Sequence, residues 1–152
     1  MKKQNMNLVS KYLYTDEVNE LVKSHETNKQ EQEKVLSEKE KQNQDIFIRV
    51  KAHMEETKAY LNCEYNRKNL VRDVNTNETY LAMAIRYGAD MTPHEYINNQ
   101  RLEHAKKLLV DYPDYTIEQV AADSGFTTLR NFYRLYKKKY EISPAKYRAM
   151  NQ

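Results

Sequence analysis

Residues 117–148 read IEQVAADSGFTTLRNFYRLYKKKYEISPAKYR. Thr116 suits an N-cap for a short helix through Asp123, and Ser124-Gly125 supplies a turn. Thr128 opens a second helix to about Tyr140, and Ser143-Pro144 caps a final short one. Helical spacing puts Phe132, Leu135 and Tyr136 on one face of the second helix and Thr128, Arg130, Asn131, Arg134 and Lys138 on the other. Small Ala121 fits a close helix crossing, and Gly125 fits a turn that needs positive φ. Helix, tight turn, helix is the arrangement in which one helix braces while the next enters the major groove of DNA.

Residues 67–87 repeat this arrangement. A short helix over 67–74 turns Leu70, Val71 and Val74 inward, Asn75-Thr76 interrupts, and Asn77 caps a helix over 78–87. Gly88 stands where a helix C-cap favours glycine. Thr92-Pro93 then opens a helix to about Val110, with Tyr96, Ile97, Leu102, Ala105, Leu108 and Leu109 inward. Eighteen residues (93–110) make a rod of roughly 27 Å. That length could hold two reading heads near one duplex turn, ~34 Å, so that one monomer could bind an asymmetric site. Upstream, Ile46, Phe47, Val50, Met54 and Leu61 fall near helical spacing, followed by a polar loop at 62–66. Residues 1–45 form a charged arm or linker, either a solvated helix or disordered. The apolar residues Leu8, Tyr12, Val18, Leu21, Val22, Val35 and Leu36 sustain no heptad there.

Only 39% of the 152 residues are hydrophobic, and two Gly with three Pro are too few for a sheet-rich protein. An all-α chain is expected. The net charge of +3 is unevenly placed. Residues 128–148 hold seven basic side chains against Glu141 alone, a surface that favours a polyanion. Cys63 is the one cysteine, so neither an intrachain disulfide nor a Cys-based zinc site can form. His25, His53, His94 and His104 show no metal-ligand spacing, and no cofactor is expected. No nucleophile–base constellation or phosphate-cradling Gly-rich loop occurs, which argues against an enzyme. No apolar run approaches the ~20 residues of a membrane span, and Lys2-Lys3 lack the apolar stretch of a signal peptide. A cytoplasmic protein is expected. Tyr80, Tyr96, Tyr136 and Tyr147 fall on apolar faces and read as core, not as stacking platforms for RNA.

Arg suits guanine and Asn suits adenine, so Arg130, Asn131 and Arg134 are the candidate base readers. Thr127, Thr128, Lys137, Lys138 and Lys139 are the candidate phosphate contacts. Residues 117–148 closely resemble the signature of the AraC-type (arabinose-operon regulator) transcription factor family. Matching positions include Ile117, Ala121, Gly125, Phe126, Phe132, Arg134, Pro144, Tyr147 and Arg148. TNETYLAMAI (76–85) and YGADMTPHEYINNQRLEHAKKLL (87–109) resemble that family's first motif and connecting helix. The resemblance covers about 46–150. It implies a seven-helix module of two helix-turn-helix subdomains held by a linker helix, binding double-stranded DNA, with RNA polymerase as a partner. In the first motif it turns Glu78, Thr79, Ala82, Met83 and Arg86 outward, and makes Thr79, Met83 and Arg86 the base readers there. Val71 departs from the family's small Ala, which puts the crossing of the first motif's helices in question. Two other readings stand beside this one: a helical protein-interaction module, and the cytoplasmic output fragment of a larger membrane sensor.

Overall fold

The computed structural model describes residues 2–152, with side chains from Thr15 onward. Leu8, Tyr12, Lys2 and Lys3 therefore lie outside the described side chains. Seven α-helices follow in order: α1 (Lys2–Thr57), α2 (Arg67–Asp73), α3 (Glu78–Ala89), α4 (Pro93–Asp111), α5 (Ile117–Asp123), α6 (Leu129–Tyr140) and α7 (Pro144–Met150). A 3-10 turn, Ala59–Leu61, lies between α1 and α2. Strands are absent among the described residues.

Contacts divide the chain into residues up to Lys41 and residues from Gln42 onward. In the first unit every described side chain is exposed, including Val18, Leu21, Val22, Val35 and Leu36. Its helix is held by its own backbone bonds, and so few apolar residues could not build a core. The expected helix from Ile46 is thus the last part of a much longer one. It ends at Thr57 because Lys58 takes a left-handed conformation, φ 49°, and Leu61 falls in the 3-10 turn beyond.

The second unit carries two cores. Ile46, Val50 and Met54 of α1 pack with Leu70, Leu81, Ala84, Ile85, Tyr96 and Ile97. Leu102, Ala105 and Leu109 of the same α4 pack instead with Val120, Ala121, Phe126, Phe132 and Tyr136. One helix therefore supplies its N-terminal half to the first core and its C-terminal half to the second. Val71 is accommodated, half-buried, at the edge of the first core.

The expected caps are present. Asn77, Thr92, Thr116, Thr128 and Ser143 each accept a hydrogen bond from a first-turn backbone N–H, and Glu95 and Gln119 complete capping boxes. Two expectations need correction. Gly88 lies inside α3, and Asp90 (φ 53°) takes the left-handed C-cap. A Cβ at position 88 would stand 2.1 Å from the Phe47 ring, so glycine serves a close approach there. Tyr80 is exposed, because it falls beside the buried stripe of Leu81, Ala84 and Ile85 and not on it. Tyr96 and Tyr136 are buried and Tyr147 half-buried.

Candidate nucleic-acid interface

The two helix-turn-helix units repeat each other closely. In the first, Val74 C-caps α2 and Asn75 turns at φ 50°; in the second, Ser124 C-caps α5 and Gly125 turns at φ 85°. Backbone bonds match across the turns: Asn75 N–H to Arg72 O and Thr76 N–H to Val71 O, against Gly125 N–H to Ala122 O and Phe126 N–H to Ala121 O. The second helices, α3 and α6, each have 12 residues, open on a side-chain cap (Asn77, Thr128) and close on a left-handed acidic residue (Asp90, Glu141). Position by position, Leu81 and Ile85 correspond to Phe132 and Tyr136 on the inner face. Thr79, Met83 and Arg86 correspond outwardly to Arg130, Arg134 and Lys137.

On α6 the candidates Arg130, Arg134, Lys137 and Lys138 are exposed, as are Thr127 and Thr128 ahead of it, while Asn131 is half-buried. Arg134 Nη2 donates to Asn131 Oδ1 at 2.8 Å, so two candidate readers are held together. Lys139 is placed differently. It is exposed too, but it follows Phe132 by two helical turns and so lies at the edge of the inner stripe, where its ammonium pairs with Glu103 and donates to Asn99 of α4. Tyr140 also donates to Glu103, at 3.0 Å. Burial works to raise the Glu103 pKa, but these bonds and the Lys139 charge outweigh it and hold the carboxyl below the usual range. Lys139 thus ties α6 to the linker helix and leaves the outward basic surface to its neighbours.

On α3, Thr79, Ala82, Met83 and Arg86 are exposed. Glu78 pairs with Arg67 of α2 at 3.0 Å. Arg86 donates to the Asp90 carboxylate at 3.1 Å and to its carbonyl at 3.2 Å. Between the two heads, an open cleft of about 430 Å³ is lined by Met91, Glu95 and Asn98 on one side and by Arg134, Leu135 and Lys138 on the other.

A buried cation on α4 ties the linker helix to the loop that follows α1. Arg101 of α4 is buried, and its guanidinium donates to the carbonyls of Tyr60 (2.7 Å), Asn62 (2.9 Å) and Tyr65 (3.0 Å) and to Asn98 Oδ1 (3.2 Å). Gly125 lies against the same loop: a Cβ there would stand 2.4 Å from the Tyr60 carbonyl oxygen. Sequence pattern offers one hint, since Arg101 interrupts an inward face between Ile97 and Ala105. Among the described residues no His, Cys, Asp and Glu cluster could hold a metal ion. No helix among them is long and apolar enough to cross a membrane.

Two similar helix-turn-helix units on one shared helix, each turning an outward face from its second helix, define a paired helix-turn-helix module. The helix-turn-helix domain family matches residues 70–150, and the chain belongs to the AraC-type branch of helix-turn-helix transcription regulators. An uncharacterized HTH-type transcriptional regulator of Escherichia coli K12, YijO, is 33% identical over 105 residues, covering 69% of this chain and 36% of that protein. The HTH-type transcriptional regulator MtrA of Neisseria gonorrhoeae is 31% identical over 85 residues, covering 56% and 28%. The chain thus spans about a third of the length of these relatives. Among solved structures, the DNA-binding domain of AdpA in complex with a target DNA shares the fold at TM-score 0.60 and 22% identity, covering 68% of this chain and 90% of that one. A Listeria innocua protein of unknown function matches at TM-score 0.58 and 27% identity, covering 68% and 94%. Family and fold are those of DNA-binding transcription regulators.

Proposed function

We propose that this protein binds double-stranded DNA sequence-specifically and regulates transcription, placing α3 and α6 in successive major grooves on one face of the duplex. The observation that carries the reading is the repeat itself: two similarly capped 12-residue helices on one linker helix, the second with Arg130 and Arg134 exposed and Asn131 half-buried beside them. Arg130, Asn131 and Arg134 read base edges, and Thr79, Met83 and Arg86 line the first head. The Arg86–Asp90 pair is no obstacle, because an exposed ion pair is weak and opens readily. Thr127, Thr128, Lys137 and Lys138 contact phosphates, and Lys139 supports α6 from behind. Residues 1–45 act as an arm outside the reading module, and the module works in the cytoplasm with RNA polymerase as a partner. One monomer suffices for an asymmetric two-box site, since both heads belong to one chain.

Selection from a random duplex library with the full chain, at two salt concentrations, tests this. Enrichment of two boxes about one helical turn apart is expected. Salt-sensitive retention of every sequence without enrichment would reduce the activity to nonspecific binding. No retention would favour the protein-interaction reading, which the exposed Tyr80, Met83 and Tyr87 on α3 otherwise motivate.

A further inference from the structure

The repeat places the same backbone geometry under very different side chains. Where α6 turns Arg130 and Arg134 outward, α3 turns Thr79 and Met83 outward, with Ala82 beside them. Met83 is 41% exposed, and Tyr80 and Tyr87, on one flank of the same face, are 41% and 54% exposed. The charged groups of that face stand toward its two ends. Glu78 pairs with Arg67, and Arg86 occupies the position of Lys137, near the helix end. From Thr79 to Met83 the α3 face therefore presents methyl and thioether groups with the single Thr79 hydroxyl, and its one bidentate side chain, Arg86, stands nearly a turn further on.

In the major groove the one apolar feature of a base pair is the C5-methyl group of thymine. An apolar reader gains there by removing methyl surface from water, and it loses against guanine or cytosine by leaving polar edges unpaired. We infer that the two heads read different chemistry: α3 selects thymine methyl groups through Thr79, Ala82 and Met83, and α6 selects base edges through hydrogen bonds. The inference rests on the duplex-DNA reading proposed above. The duplex is the favoured occupant of this face because α2, which packs on α3, carries exposed Arg67, Lys68 and Arg72, and Arg86 lies on α3 itself. Arg67 and Arg86 are held in exposed ion pairs with Glu78 and Asp90, which are weak and open readily, and Arg72 pairs with Asp73. The preferred site is then asymmetric, with an A·T-rich box under α3.

Deoxyuridine substitution tests this, since it removes the methyl and keeps the base pairing. The full chain is titrated on its selected site with each thymine replaced in turn. The box under α6 is identified as the one whose preference Arg134→Ala relaxes. Deoxyuridine in the other box is expected to weaken binding roughly fourfold per methyl buried. Met83→Ala should shrink that difference between thymine and deoxyuridine at one thymine of the box. Deoxyuridine in the α6 box should have no comparable effect. Unchanged affinity on deoxyuridine in the α3 box, with binding still sequence-specific, would overturn the inference and leave the proposed function standing. A selected site with a single box, the α6 one, would overturn it as well, and with it the two-groove part of the proposed function, leaving sequence-specific binding by α6 alone. Absence of any sequence preference would instead overturn the proposed function, and the inference with it.

Discussion

Arg134 and Asn131 hold each other at 2.8 Å on an exposed face, and that bond restricts a long side chain before any base is met. Less conformational freedom is then lost when the guanidinium reaches a guanine edge. Arg134→Ala should cost about 1–3 kcal/mol on the selected site and relax one base position. Lys138→Ala should weaken all sequences alike and lower the salt slope by about one unit. Lys139→Ala provides the contrast. Its ammonium is engaged with Glu103 and Asn99, so the salt slope should stay unchanged while the melting temperature falls. Binding titrations across salt concentrations, with thermal unfolding alongside, separate the three. A salt slope lowered equally by Lys138→Ala and Lys139→Ala would mean that Lys139 swings outward to phosphate. By residue type Lys139 groups with Lys137 and Lys138 as a candidate phosphate contact, although its spacing, two helical turns after Phe132, sets it beside the inner stripe. Charge counting along 128–148 hides that difference.

Helix starts were the most legible elements, because an N-cap is a local event: Asn77, Thr92, Thr116, Thr128 and Ser143 each accept from the backbone N–H three residues on. The glycines were legible only in part. Gly125 answers a local demand, φ 85°, whereas Gly88 answers a distant one, the Phe47 ring on another helix. Such a contact leaves no mark within a sequence window. The two glycines should also respond differently to a methyl group. Gly88→Ala meets a ring that can shift and gains helix propensity of about 1 kcal/mol as an offset. Gly125→Ala meets a backbone carbonyl in a left-handed turn, so it should lower the melting temperature more. Equal effects would show that the Tyr60 carbonyl yields as easily as the Phe47 ring. The α4–α6 tie carries a pH signature. Because the folded pKa of Glu103 is depressed, its stabilisation is fully present above the ordinary value of 4.5 and is lost as pH falls through the folded value. Glu103→Gln should therefore flatten the acid side of a plot of melting temperature against pH. A profile that keeps the full acid slope would place the titration elsewhere.

At the scale of the whole reading module, two similar heads recognise one site only if their separation is fixed. Along α4 the separation is set by a helix of 19 residues, about 28 Å. Rotation of one head about that helix is a separate freedom, and the Arg101 junction is placed to restrict it. The guanidinium draws three carbonyls of the 60–65 loop onto α4, and the turn that opens the second head rests on the same loop through Gly125. Sequence marks Arg101 only by its place between inward Ile97 and Ala105, and the three carbonyls that hold it lie 36 to 41 residues away, where no local pattern reaches. Lysine carries a point charge on a flexible stem and cannot span these acceptors in a plane. Arg101→Lys should therefore cost roughly 2–5 kcal/mol of stability, the range for a broken buried charge network. Below its melting temperature the variant should still select the same bases in each box, because neither α3 nor α6 is altered. Its tolerance for the number of base pairs between the boxes should widen. Library selection with the spacer randomised in length measures this directly. A spacer distribution as narrow as that of the unaltered protein, from a variant shown to be folded, would assign the alignment of the two heads to α4 packing alone.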